Sequence, residues 1–163
     1  MASTLTVDNI VGATTAANVK LPAGCIVQVL DATGGETNAS ATSQVTLITT
    51  SFTPKYSGSK IFATVSIPNI TGNNTYDANF RIYIGNNSTL TSNSVFSESR
   101  LQALGTGADN VQCFSATSAP FTTSNTNTVY VGITGQPEDG SAGTWAFARH
   151  SATSRMKIYE VIG

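Results

Sequence analysis

The chain repeatedly alternates apolar and polar residues with a period of two. A β-strand points successive side chains to opposite faces, whereas a helix buries one face only if apolar residues recur every three or four positions. The clearest run spans residues 61–67, where every second residue is apolar, and similar runs follow at 80–84, 129–133, 145–147 and 156–158. A one-residue shift in such a run would expose its apolar side chains to water. The pattern therefore predicts an all-β protein whose strands each bury one face.

Shorter candidate strands, and the turns between strands, complete this pattern. The additional candidate strands are residues 25–30, 44–50, 94–100 and 111–115. Segments rich in Gly, Asn and Asp favour turns, and they lie at residues 32–38, 71–75, 85–89, 105–110 and 135–143. Pro54 and Pro68 are expected at strand boundaries, because a proline has no N–H to donate within a sheet.

About nine short strands separated by such turns are typical of a sandwich of two sheets. We therefore predict an all-β fold, an antiparallel two-sheet β-sandwich of jelly-roll type, formed by residues 23–163 and preceded by an extended N-terminal arm. The inward positions of the alternating runs give the predicted core, which consists of Ile61, Val65, Phe80, Ile82, Val131 and Phe147.

Residues 1–22 have a different pattern and are predicted to form the extended arm. Their apolar residues Leu5, Val7, Ile10 and Val11 are followed by a Gly/Ala/Thr-rich stretch at 12–18 that breaks any regular repeat. Four such residues are too few to form a core, and ordering each residue costs about 1–2 kcal/mol of backbone entropy. We expect these four residues to attach the arm to a neighbouring subunit, with Val7 and Ile10 as anchors. The alternative is a short strand that pairs within its own chain.

The surface is expected to be polar but nearly uncharged. Charged residues make up 10% of the chain and the net charge is −1, whereas soluble domains usually contain about 25% charged residues. The eight Lys and Arg residues are scattered along the sequence, so we expect no nucleic-acid partner. Because nearly neutral surfaces tend to associate, the low charge favours a protein that is a subunit of an oligomer. The alternative is an ordinary β-domain that is rich in threonine.

The sequence contains no motif that predicts a catalytic, cofactor or metal site. His150 is the single histidine and is expected to be a structural residue near the end of a strand, whereas metal sites need several convergent ligands. The candidate carboxylates are spread along the chain as Glu98, Asp109, Glu138, Asp139 and Glu160. General acid/base catalysis would require folding to bring two of these carboxylates within about 5–10 Å of each other in a cleft. We therefore predict a protein that is not an enzyme.

The cysteines and the tyrosines each leave an alternative open. Cys25 and Cys113 lack Cys-x-x-Cys spacing, so we expect two small buried residues, and whether they pair stays open. The four tyrosines that could stack on sugars are more typical of a core or an interface, and they are Tyr56, Tyr76, Tyr83 and Tyr130. The first residues lack the basic and apolar segments of a signal peptide, and no apolar run is long enough to cross a membrane. We expect a protein made in the cytoplasm that has no membrane partner.

Several segments, taken in order, resemble a known group of viral domains. They are residues 4–10, 18–24, 25–30, 52–62, 114–120, 129–131 and 154–162. The features are Pro-Ala-Gly at 22–24 before a Gln-bearing strand, Thr-Pro-Lys-Tyr-Ser-Gly-Ser at 53–59 and a closing Ile-Tyr-Glu-Val-Ile at 158–162. Together they resemble a C-terminal β-sandwich domain of fibre, appendage or decoration proteins from tailed bacteriophages, of the marine and cyanobacterial phage type.

The resemblance implies a jelly-roll domain, commonly trimeric, that is displayed on a virion made in a host cytoplasm. Fibre proteins of this group normally add a long shaft, whereas only 22 residues precede the β-domain here. We therefore expect a capsid decoration (cement) protein or a small appendage, with itself as a homotrimer and other capsid or tail proteins as partners. The alternative is a receptor-binding tip of a tail fibre or head fibre that contacts host-surface glycans. A polysaccharide-degrading enzyme is the third hypothesis, and it would need paired carboxylates on a longer scaffold.

Overall fold

The structure is a computed structural model that describes residues 23–40, 43–72, 77–101, 111–138 and 144–163. The predicted arm at residues 1–22 lies outside these ranges, with its four anchor candidates Leu5, Val7, Ile10 and Val11. The described residues form eleven β-strands and one short 3-10 turn at Leu90–Ser92. The strands are β1 (Ile26–Gly34), β2 (Thr37–Ser40), β3 (Val45–Phe52), β4 (Lys60–Gly72), β5 (Ala78–Gly85), β6 (Ser94–Leu101), β7 (Val111–Thr117), β8 (Phe121–Thr122), β9 (Val129–Pro137), β10 (Thr144–Phe147) and β11 (Ser154–Val161).

The strands form two antiparallel sheets that pack face to face. The larger sheet has the order β1-β11-β4-β10-β2, and β7 and β8 also pair with the long strand β4. The smaller sheet has the order β3-β9-β5-β6. Consecutive strands therefore often lie in different sheets, as in a jelly roll. The predicted fold class, an antiparallel two-sheet jelly roll, is confirmed.

The hydrophobic core lies between the two sheets. All six predicted core residues are at most 2% exposed, which confirms the inward faces deduced from the alternation. Phe80 lies near the centre, where its ring stacks on Phe114 at a centroid distance of 4.2 Å and meets the edge of Phe147 at 5.6 Å. Such aromatic contacts add to the free energy gained from apolar burial.

Two predicted turns extend too far into strands, where their glycines mark close packing. Most of the predicted turn 32–38 belongs to β1 and β2, and only Gly35 and Glu36 lie between these strands. A Cβ on Gly34 would collide with the carbonyl oxygen of Leu47. The predicted turn 135–143 begins inside β9, where a Cβ on Gly135 would come within 2.8 Å of the Phe147 ring. Both glycines leave room for the opposite sheet.

The predicted boundary at Pro68 is wrong, whereas Pro54 does lie between β3 and β4. Pro68 lies inside β4, where the register with β7 shifts between Ile67 and Ile70. Such a bulge tolerates a residue without an N–H. The next residue, Asn69, has a positive φ of 49°.

The bulge is tied to the turn that contains His150. The Arg149 N–H donates to the Asn69 carbonyl oxygen at 3.0 Å. Strand β10 ends at Phe147, so His150 lies in a turn beyond the strand and is exposed. Its φ of 60°, like those of Ala148 (55°) and Ser151 (58°), is in the left-handed region.

Candidate functional site

The outer face of the larger sheet carries the most distinctive surface of the described chain. Alternation along β4 and β11 points Ala63, Val65 and Ile158 into the core, so the residues between them face outward. We call the outward residues of β1, β11, β4 and β7 the outer face. The antiparallel register of these strands sets the residues in rows, and directly opposite Cβ atoms lie about 4.5–5.5 Å apart.

Two of these rows combine a cation with hydroxyl groups. In one row, Arg155 lies opposite Ser66, which lies opposite Ser115. In the next, Lys157 lies opposite Thr64 and Thr117 follows on β7. The two rows line a shallow open depression of about 230 Å³, bordered by Thr64, Val65, Ser66, Ser115, Arg155 and Lys157. We call it the basic depression.

The positive charge of the basic depression is only weakly balanced. Lys157 approaches Asp31 at 3.6 Å, but both side chains are more than half exposed, and exposed pairs contribute little. Arg155 forms no ion pair within the described part of the chain. Lys60 adds a third cation to the outer face. The strands of this sheet carry two carboxylates, Asp31 and the inward-facing Glu160.

The outer face becomes apolar beyond the basic depression. Tyr159 lies opposite Phe62, and their rings stack at a centroid distance of 4.9 Å. Val29 and Ile26 on β1 continue this end and are 49% and 55% exposed. Half-exposed valine and isoleucine side chains at one end of a sheet indicate a surface suited to contact with another segment.

The apolar end lies at an open sheet edge. Strand β1 pairs with β11 on one side and with no strand of the described chain on the other. The Gly24 N–H donates to the Ile162 carbonyl oxygen, and the Ile162 N–H donates to the Cys25 carbonyl oxygen. Residues 24 and 25, which directly precede β1, therefore join the sandwich at this end.

A second polar cluster is buried and structural. Glu160 is fully buried on the inner side of β11. Its Oε1 accepts hydrogen bonds from the N–H of Lys55 (2.9 Å) and Tyr56 (3.0 Å) and from the Ser59 hydroxyl (2.8 Å), and its Oε2 accepts from the Lys55 N–H at 3.0 Å. The carboxylate thus closes the turn between β3 and β4, and its full set of donors leaves no access for a substrate.

Of the other candidate carboxylates, the two that are described, Glu98 and Glu138, form ion pairs. Glu98 bonds Arg81 at 2.8 Å, and Glu138 pairs with Arg100. Asp109 and Asp139 lie outside the described residues. In the part of the chain that is described, no three His, Cys, Asp or Glu residues are grouped to hold a metal ion.

The other candidate residues have mixed outcomes. Neither cysteine is in a disulfide; Cys25 is partly buried and Cys113 is exposed, so the prediction of two buried residues is wrong for Cys113. Cys113 alternates with the buried Phe114 and therefore shares the outer face with Ser115. Tyr83 is buried and accepts a hydrogen bond from Gln44 at 2.8 Å, so it cannot serve a sugar platform. Tyr76 lies outside the described residues.

The basic depression was not predicted from the sequence. The alternation of Arg155 and Lys157 with the buried Met156 and Ile158 in β11 did indicate two cations on one outward face. The pairing of these cations with serines and threonines depends on the strand register, which a single sequence does not give. Within the described ranges, no helix has the length and apolar character needed to span a membrane.

Comparisons with known proteins show similarity at the level of the fold. No family model and no curated protein matches the sequence. Among solved structures, the Eiger TNF from S. frugiperda matches with a TM-score of 0.51 and 7% identity, covering 82% of this chain and 92% of that chain. Structures of infectious bursal disease virus also match: the Gt strain has a TM-score of 0.41 and 10% identity, and the VP2 subviral particle has 0.39 and 13%. This chain, 83% of which is covered in each, spans 38% of each viral chain. The match to the Eiger TNF shows a shared β-sandwich fold.

Proposed function

We propose that this chain is a non-enzymatic structural protein of a tailed-bacteriophage particle, displayed on the particle surface as a capsid decoration protein or small appendage. The segments that resemble such proteins, taken in their order along the chain, support this proposal. The jelly-roll fold supports it as well. The observation that carries the proposal is the edge of β1, which pairs with no other strand of the described chain, together with the hydrogen bonds that hold residues 24 and 25 beside Ile162. At this edge, one subunit could bind the next.

The proposed contact adds the arm of one copy to the β1 edge of another. The nine-residue strand β1 has no second partner strand among the described residues, and the N–H and C=O groups of such an edge readily pair with another strand. An extended segment added there would gain backbone hydrogen bonds, while its alternate side chains would set the register. Val29 and Ile26 provide apolar contacts for Val7 and Ile10 of the incoming arm. Around a three-fold axis, this exchange would close a homotrimer.

The test removes the arm and measures attachment to particles. A chain lacking residues 2–20 should fold and stay soluble, but should fail to join particles from which the protein is absent. Circular dichroism and thermal melting report the fold, and quantitative gel analysis of sedimented particles reports occupancy. If the truncated chain decorates particles at the occupancy of the full chain, the arm is not the anchor. If it misfolds, the arm pairs within its own domain.

Point variants locate the anchor within the arm. Replacing Val7 and Ile10 together by Asp should reduce occupancy strongly, because buried charges without partners are costly. The matched control replaces Thr14 and Thr15 by Asp, which adds the same charge to the polar stretch and should leave occupancy near that of the full chain. Equal loss in both double variants would indicate a charge effect and contradict the anchor role.

The second candidate function is a receptor-binding tip of a tail or head fibre that contacts host-surface glycans. The basic depression favours it, because an arginine that has no ion pair among the described residues and several hydroxyls suit a polar ligand. The number of copies per purified particle distinguishes the two. A decoration protein covers the capsid in many copies, whereas a fibre tip is present in few.

A further inference from the structure

We infer that the basic depression binds the anionic group of an acidic polysaccharide. The inference deepens the receptor-binding candidate and rests on it for its biological setting. The binding itself is a property of the isolated protein, so it is tested independently of particle attachment.

Arg155 is the central residue of the proposed site. It is exposed on the outer face and forms no ion pair within the described residues. Two of the other three arginines are in ion pairs, Arg81 with Glu98, and Arg100 with Asp77 and Glu138. The planar guanidinium presents a fork of donors that matches carboxylate, sulfate or phosphate oxygens. Lys157 adds a second cation that its exposed contact with Asp31 holds only weakly.

The hydroxyl groups beside Arg155 point to a sugar as the carrier of the anion. The side chains of Thr64, Ser66 and Ser115 form no hydrogen bond with other described residues. Each hydroxyl can donate and accept, as sugar hydroxyl groups also do. A bare inorganic anion would need the cations alone, whereas this depression sets three hydroxyls beside them.

The size and charge of the depression favour one unit of a polymer. Its volume of about 230 Å³ is below the about 300–1,000 Å³ of pockets that enclose small molecules. A shallow open site can bind one sugar unit of a polymer that continues across the sheet. Nucleic acid is a less suitable ligand, because binding to successive phosphates uses several cations along a path. The outer face carries three cations, and one of them lies beside the Asp31 carboxylate.

The experiment measures binding of the purified full chain to defined polysaccharides by titration calorimetry. Polygalacturonate supplies carboxylates, dextran sulfate supplies sulfates, a teichoic acid supplies phosphates, and neutral dextran supplies hydroxyls alone. We expect binding to at least one acidic polymer and none to dextran, and the strongest polymer identifies the anion. Binding to dextran equal to that of the acidic polymers would overturn the inference, as would equal or tighter binding to double-stranded DNA.

Variants assign the binding to the basic depression. Arg155→Ala should weaken affinity about tenfold or more, as expected for loss of a charge-assisted pair. Arg155→Lys keeps the charge but removes the fork, so it should recover only part of the affinity. The matched control, Lys55→Ala, removes an exposed cation in the turn between β3 and β4 and should change affinity less than about twofold, within weak surface electrostatics. Equal losses for Arg155→Ala and Lys55→Ala would contradict the site.

Cys113 provides a readout of location that does not depend on affinity. It is exposed on the outer face two positions from Ser115. In a Cys25→Ser background, saturating acidic polysaccharide should slow alkylation of Cys113, and neutral dextran should not. Unchanged alkylation under saturation would place the ligand elsewhere and overturn the inference, and thermal melting of each variant verifies that it is folded.

Discussion

Glu160 joins two segments that lie far apart in the sequence. Its carboxylate accepts the N–H groups of Lys55 and Tyr56, which are 105 and 104 positions away. Their contact gives a physical reason for the joint presence of these two segments. A buried carboxylate is stable when several donors replace its water, and here no cation is needed.

Replacing Glu160 by Gln should destabilise the fold. The amide keeps one oxygen but places an NH₂ group where Oε2 accepts the Lys55 N–H, so two donors would face each other. We expect a loss of about 1.5–3 kcal/mol in the free energy of unfolding, the range for hydrogen bonds to charged groups. Urea denaturation followed by tryptophan fluorescence measures it.

The matched control is Glu98→Gln on β6, which alters an exposed surface ion pair. Such pairs contribute at most about 1 kcal/mol, so this variant should unfold close to the unmodified chain. Similar losses in the two variants would contradict a special role for the buried carboxylate.

Ile82 tests the predicted core at a single residue. It is 1% exposed between Phe80 and Ile84 on the inner face of β5. Ile82→Ala should cost about 2–5 kcal/mol, because it removes apolar contacts and leaves a cavity. Val95→Ala on β6, where the side chain is 45% exposed, should change the free energy of unfolding by less than about 0.5 kcal/mol. A loss below 1 kcal/mol for Ile82→Ala, measured in urea, would place Ile82 outside the tightly packed core.

At the scale of the strand, glycines decide how closely the two sheets approach. Gly135→Ala on β9 should destabilise the fold by about 1–3 kcal/mol, the usual effect of overpacking, because its Cβ would press on Phe147. Gly35→Ala is the control, since nothing lies within 4 Å of its added Cβ. It should be neutral or stabilising by up to about 1 kcal/mol through the unfolded state. Thermal melting of both variants tests the difference, and equal melting temperatures would refute it.

Alternation in single strands was sufficient to predict the fold class and the core, because burial of one face depends on local order. It identified Ile61, Phe80 and Val131 as inward residues, and all three are buried. Features that depend on contacts between strands were not predictable in this way. In the sequence, Gly34 has the character of a turn residue. Only the structure shows that the backbone of Leu47 packs against it. Pro68 resembles a strand end until the bulge in β4 is known.

The candidate surface was less predictable than the core for the same reason. Arg155 and Ser66 are remote in the sequence, and only the pairing of β11 with β4 places them opposite each other. The buried role of Glu160 likewise depends on where the turn between β3 and β4 lies. The arm residues Val7 and Ile10 lie outside the described ranges, so their role stays a prediction.

At the scale of the whole molecule, we predict a homotrimer. The low charge of the chain removes the repulsion that keeps many soluble proteins apart, and the open β1 edge provides a contact that a neighbour can complete. Light scattering coupled to gel filtration should give three times the chain mass of 16.9 kDa. A stable monomer would contradict self-assembly, and a dimer would contradict the number while keeping the contact. The chain lacking residues 2–20 should shift toward the monomer mass.

The pairing of β1 with β11 also has a consequence for biosynthesis. A ribosome releases β1 first among these strands, yet its partner β11 is the last to emerge. Until then the larger sheet lacks a strand between β1 and β4, and the turn between β3 and β4 lacks the Glu160 carboxylate. Long-range pairing of this kind makes folding slow, and an interrupted chain would expose unpaired edges to proteases and chaperones. The topology thus couples folding to the completion of translation, because an unfinished chain could not complete its larger sheet.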